Sequence, residues 1–590
     1  MDTKQIEIYI HEYIDKLTKE IIDECVLRKM INTTDLPKAF RILLDSKDNS
    51  LLKRQIQFSN KQIASKVVRD GNKLKINIED AVQEFTFSTF HQLSILFEKI
   101  INRHNLDEEN NAKKYNLNQE KAAKLLTKNI DSMSLLILDE IKKSNVEKLL
   151  LTFYSIAGIL SLVSGITTIK TKFEIKEKLW EADNKDDSIS LLLNTVQNLN
   201  IEEMKKVSYI VGEHKYACDM LFNIVYKMYL CNDDKDDNSH KSFDISSLFA
   251  KVMVLNKMKL FRQSNALLYE RGDFISIEDF ILNQKGNLAN KFMQFFEETI
   301  RFNYNESLIN GVFDKYKKYE GFSPDNLSEL NEGLMKHFQM SDKKVIAKIN
   351  ICSVENFKNY IKNVCNITEK GIDTFFSALC LEVNSDLFNM SNKISRTPLV
   401  LTKDYRVITM IPLLLQAEQT LGVRMLEQNF TKNVQVKKYI RKHYNEDLID
   451  ELIDIFTKKR IQVWKSVHLA SVKNKKIRSL FISGITEEID IAYFRDGVLY
   501  FVEYKAWMTG ASNIKAFLSE YNVKKHYKAM RVVKNYIDDY TEIFGQNIKK
   551  IHDIKLIMVF QNPTAFNYLN EDKNVRGSSF QEFKKIIENY

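Results

Sequence analysis

The stretch Glu488 to Lys505 holds the residue types best suited to chemistry. Two runs rich in β-branched and aromatic residues flank Asp496-Gly497, a pair that favours a two-residue hairpin turn. Such a turn sets Asp490 directly across from Glu503, and Glu488 across from Lys505. Side chains alternate along a strand, so these four share one face. The other face carries Ile489, Ile491, Tyr493, Val502 and Tyr504, an apolar packing surface. Two carboxylates opposed across a strand pair repel each other. A hard divalent cation such as magnesium relieves that repulsion, because it takes carboxylate oxygens a few ångströms apart. A neighbouring lysine can hold an attacking water or offset charge developing on a phosphoryl group. The plain alternative is a surface hairpin with solvated charges, and the apolar runs around Asp490 and Glu503 weigh against it.

At these residues the chain resembles the PD-(D/E)XK, or restriction-endonuclease-like, nuclease superfamily. The resemblance rests on Asp490 in one strand and Glu503-Tyr504-Lys505 in the next; Ile489 stands where a proline usually precedes the first acid. It implies a magnesium site, with manganese able to substitute, held by Asp490, Glu503 and the main-chain carbonyl of Tyr504. Lys505 would orient the attacking water. It also implies an acid on the first helix of the core. Asn445 to Thr457 reads as that helix, with Leu448, Ile449, Leu452, Ile453, Ile455 and Phe456 on one apolar stripe. Glu446 falls at the stripe's margin and matches the helix acid best, with Glu451 on the opposite margin as second choice. An ordinary first-turn acid favoured by the helix dipole explains Glu446 equally well.

The elements that must position these residues follow in order. Ile461 to Ala470 alternates as a first strand, and Asn474 to Arg478 reads as a basic loop. After the hairpin, Ser512 can cap a long helix reaching Tyr540. Lys524, Lys525, Lys528, Arg531 and Lys534 on that helix form a basic face able to carry a phosphate backbone. Ile554 to Phe560 is a further strand, and Phe580 to Ile587 a closing helix. The order αβββαβα around a mixed sheet is the superfamily's core order, over about 445–590. Some relatives carry Gln and Tyr on the helix after the Glu-x-Lys strand. Here Tyr527 follows His526 and no Gln occurs, which sets the RecB-like branch apart. Trp507 suits packing better than stacking on a base.

The remainder is read as mostly helical. Only 16 Gly and 5 Pro punctuate 590 residues, a length that calls for several domains. Residues 1–390 read as successive amphipathic helices, with a small hairpin around Val67 to Ile78. Polar joints fall at Asn105–Asn118, Asp183–Asp187 and Asn232–Ser242. A break near Ser391 to Arg396 leads into 391–444, a hairpin and a helix from Leu413 to Glu427. Leu149 to Ile169 has no charged residue and is long enough to span a bilayer; a helix buried by its neighbours is preferred, and a membrane partner is not expected. Six cysteines without a CxxC or Cys/His cluster, and no secretory leader, favour a reducing cytoplasm.

Charge is concentrated beside the hairpin. Thr431 to Tyr590 carries 28 Lys and Arg against 19 Asp and Glu, while the other residues carry 59 of each, so the whole net charge of +9 sits in this part. Positive surplus beside an acid pair suits a polyphosphate, most simply nucleic acid, with DNA favoured over RNA. The expectation is therefore a magnesium-dependent endonuclease. A helical region that senses, or that assembles the chain into a homo-oligomer, suits a bacterial antiviral defence effector, on family analogy alone. The rival is a non-catalytic nucleic-acid-binding protein with a nuclease-like domain. A third reading, a membrane-tethered assembly, rests on Leu149 to Ile169 only.

Overall fold

The computed structural model describes residues 3–32, 67–70, 73–76, 89–106, 114–173, 188–231, 243–268, 274–285, 306–337, 349–382, 393–426, 430–481, 488–505, 520–560 and 574–590. The chain is mostly helical, with a mixed five-stranded sheet in its C-terminal part. The first core is built by helices Thr3–Asn32, Thr89–Asn105, Gln119–Lys142, Val146–Phe173, Ser188–Gln197, Ile201–Cys231 and Ile245–Leu268. Val146–Phe173 lies inside it. Phe153, Tyr154, Leu160 and Val163 are fully buried on different sides of this helix, which is why the segment Leu149 to Ile169 needs no polar face. The expected hairpin near Val67 pairs Val67 with Ile76, although its turn residues lie outside the described ones. So do the joints Asp183–Asp187 and Asn232–Ser242.

The expectation of helices and one small hairpin up to residue 390 omits a second sheet. Lys114–Leu117, Phe274–Glu278 and Ile281–Lys285 form a small antiparallel sheet. Asp279 and Phe280 make its tight turn with φ of 48° and 64°, and Ile275 and Ile277 carry a strand's alternation into the core.

The break near Ser391 is not a boundary between cores. The expected hairpin exists, as Val400–Leu401 against Arg406–Thr409, and Asn350–Ser353 pairs with its far side. Its alternate residues feed two cores. Val400 and Ile408 pack with the first. Leu399 and Val407 pack with a second, built by helices Glu306–Glu320, Asp325–His337, Val354–Val364, Glu369–Leu379, Ile411–Leu426 and Val434–Arg441. The Tyr154 hydroxyl also donates to the Pro398 carbonyl at 2.6 Å. A strand pair covered on both faces cannot be a free-standing lead-in.

The C-terminal unit begins where Val434–Arg441 passes through a π turn, Lys442–Glu446, into α1 (Asp447–Lys458). There follow β1 (Val463–His468), α2 (Lys475–Phe481), β2 (Glu488–Arg495), β3 (Val498–Lys505), α3 (Glu520–Asn535), β4 (Asp553–Phe560), β5 (Val575–Ser579) and α4 (Phe580–Glu588). The sheet order is β5-β4-β3-β2-β1. Strands β1, β2 and β3 run antiparallel, whereas β3, β4 and β5 run parallel. Leu452 and Phe456 of α1, with Phe583 and Ile587 of α4, cover Ile491, Tyr493, Val502 and Tyr504 on one face. Ala529, Met530 and Val533 of α3 cover Ala492, Leu499 and Phe501 on the other.

Two expectations in this unit also change. The basic loop Asn474 to Arg478 is largely helix α2, because the Asn474 side chain caps the Lys476 N–H and Ile477 and Phe481 bury one turn apart. Strand β5 has no counterpart among the expected elements. Its Gly577, Ser578 and Ser579 are poor strand formers, and parallel pairing to β4 supplies the stability they lack.

Candidate functional site

The hairpin turns as its sequence requires. Asp496 and Gly497 take φ of 48° and 76°, the mirror-image turn that matches strand twist. Pairing then runs in register from Arg495 opposite Val498 to Ile491 opposite Val502. At the next step the ladder opens. The Tyr504 N–H, which a regular ladder would give to the Ile489 carbonyl, donates instead to Asp490 Oδ2 at 2.7 Å. On the other side of β2, Ser466 sits between the pairs Ile489–Val467 and Ile491–Lys465 with φ of 49°. Asp490 thus stands where both of its neighbours depart from regular strand geometry. Ile489 is displaced by the same irregularity. It packs with Val467 and Leu469 in the core beneath α3, a correction to its expected place beside Ile491.

Glu503 is 8% exposed. Lys505 Nζ donates to its Oε1 at 2.5 Å, and His526 Nε2 of α3 lies 3.7 Å from the same oxygen. Oε2 is buried and has no hydrogen-bond partner among the described residues. Burial, and after it the charge of Asp490, pushes the Glu503 carboxyl up to about 7, against the pull of Lys505. Asp490 is raised as well, first by burial, while the Tyr504 N–H and Lys505 oppose the rise. His526 is pushed down to about 3 by burial, then by Lys505 and Lys525.

The other expected members are placed less closely. Glu488 comes within 4.0 Å of His468 Nε2, and it is Glu503, not Glu488, that Lys505 bonds. Glu446 is exposed at the end of the π turn, and among the described residues no hydrogen bond or ion pair joins it to Asp490, Glu503 or Lys505. Helix α1 lies on the Tyr504 face, opposite the face on which Glu503 meets His526. Glu451 is held by Lys584 of α4 at 2.5 Å. Lys525, Lys528, Arg531 and Lys534 are exposed along α3, with Lys534 3.9 Å from Asp553. Lys524 lies on α3 but its side chain, like Ser512 and Trp507, falls outside the described residues. The sequence alone marks His526 only as a departure from a pattern. A sharper signal exists: with Ala529, Met530 and Val533 it completes a buried i, i+3, i+4, i+7 stripe at which an apolar residue is expected.

Among the described residues no three His, Cys, Asp or Glu side chains form a metal-holding group. The pair nevertheless fits a hard cation. Glu503 is buried and raised first by burial and then by the charge of Asp490, and Asp490 is half-buried and raised first by burial. One Glu503 oxygen meets no described protein donor, and such a pair matches magnesium, which binds through one or two carboxylates and keeps waters elsewhere. No family model matches the chain, and comparison with curated proteins and with solved structures gives no match.

Proposed function

We propose that the C-terminal unit is a magnesium-dependent phosphodiesterase of the restriction-endonuclease-like kind, cutting nucleic acid, with DNA as the favoured substrate. The observation that carries this reading is buried Glu503 with half-buried Asp490 beside it where the β2–β3 ladder opens, and Lys505 on Glu503. Asp490 and Glu503 Oε2 would hold the cation, and the Tyr504 carbonyl is a further candidate ligand, whereas Glu446, exposed at the start of α1 on the other face, is set aside. When bound, magnesium supplies Lewis acidity to the phosphoryl oxygen and lowers the pKa of a coordinated water.

The remaining roles belong to the chain itself. Lys505, anchored by Glu503, presents its ammonium beside the acids, where it orients water and offsets charge building on the phosphate. The Tyr504 N–H fixes the Asp490 carboxylate without using a side chain. Exposed Lys525, Lys528 and Arg531 line one helix next to His526 and offer contacts to a phosphate backbone. A role as an antiviral defence effector of the cytoplasm would suit a large helical region joined to such a unit.

The test is incubation of the full chain with plasmid, linear DNA, single-stranded DNA and RNA, with magnesium or manganese and then with EDTA. Cleavage of at least one substrate that EDTA abolishes is the expected result. Normal binding without cleavage under all metal conditions would favour the non-catalytic binding protein.

A further inference from the structure

His526 is a buried polar side chain for which neither the proposed chemistry nor the packing accounts. It is 2% exposed, on the face of α3 that otherwise carries Ala529, Met530 and Val533 into the core. An apolar side chain there would cost nothing, whereas a buried imidazole must satisfy two nitrogens. Nδ1 has no hydrogen-bond partner among the described residues. Nε2 lies 3.7 Å from Glu503 Oε1, the oxygen already bonded by Lys505. One carboxylate oxygen is therefore approached by two groups while the other, Oε2, meets no described protein donor. A single bond from the flexible lysine leaves the carboxylate able to rotate, and His526 Nε2, at 3.7 Å just beyond hydrogen-bond range, is placed to add a second contact from rigid α3 on a small approach.

Resting on the reading of Asp490 and Glu503 as a cation site, we propose that His526 is a positioning residue that holds the Glu503 carboxylate with Oε2 turned to the cation. The imidazole works as a donor from Nε2 and does not itself touch substrate. A carboxylate left unsupported would spread over several rotamers and bind a cation more weakly, by about 10–100-fold when a support of this kind is removed.

The experiment is calorimetric titration of full-length protein with manganese ion alone, free of nucleic acid. His526→Ala removes the imidazole, His526→Phe keeps a buried ring without a donor, and His526→Gln restores a donor near the position of Nε2. Circular dichroism and melting temperature confirm that each variant folds. We expect Ala and Phe to weaken manganese binding about 10–100-fold and Gln to recover most of it. Equal affinity in wild type, Ala and Phe would overturn the positioning role and leave the cation site standing. Weakening in Ala that Phe restores and Gln does not would also overturn it, since filled volume would then be what matters. A wild type that binds no manganese would overturn the cation site, and this role with it.

Discussion

A carboxylate buried beside a second one, as Glu503 is beside Asp490, favours its protonated form. Its folded-state pKa of about 7 lies above the ordinary value of 4.5, so the folded chain binds this proton more tightly than the unfolded chain. The stability contributed is full below about pH 4.5 and is lost as pH rises through about 7. In metal-free protein, Glu503→Gln should therefore raise the melting temperature at pH 8 and change it little at pH 5. Calorimetry at the two pH values checks this, and an equal effect at both would deny the burden on Glu503. Function should respond in the opposite sense. Asp490→Asn keeps an acceptor for the Tyr504 N–H, so the hairpin survives, yet it removes a charged ligand. Lys505→Ala removes a charge and no ligand. Both should lose cleavage by about 10²–10³-fold or more while still binding nucleic acid in a gel-shift assay. Loss of binding together with cleavage would mark these residues as part of the grip only.

At the scale of elements, affinity belongs to α3. Replacing Lys525, Lys528 and Arg531 one at a time should lower the salt dependence of DNA binding by about one unit of slope for each phosphate that is no longer neutralised. An unchanged slope in all three would make this a solvated face. Much of this architecture was legible. Asp496-Gly497 demands positive φ at both positions, and that sets the register from Arg495–Val498 to Ile491–Val502, one step short of Asp490 and Glu503. Apolar stripes located α1, β4 and α4 within a few residues. The misses have physical causes. Strand β5 draws on pairing with β4 rather than on its own residues, and α2 is short enough for its cap to matter more than its composition. The shift of Ile489 follows from one side chain, Asp490, taking a backbone carbonyl's place. Periodicity cannot show such an exchange, and for the same reason it makes His526 one more core position.

At the scale of the whole molecule, the chain divides differently from its charge pattern. A fragment starting near residue 391 keeps Ile394, Val400, Ile408, Met410 and Leu413, whose packing partners in the first core it lacks. It should aggregate or bind a hydrophobic dye. A fragment starting near residue 442 keeps both cores around the five-stranded sheet and should fold with a cooperative melt. The reverse outcome would return the boundary to 391. The central claim is that, in a protein with 78 Asp and Glu, buried Glu503 and half-buried Asp490 form the place where a catalytic cation binds. Anomalous diffraction from crystals of the full chain grown with manganese tests this most directly. We predict a peak bonded to Glu503 Oε2 and to an Asp490 carboxylate oxygen, at about 2.0–2.3 Å. Ordered density for both side chains with no peak between them, at a manganese concentration that supports cleavage, would contradict it.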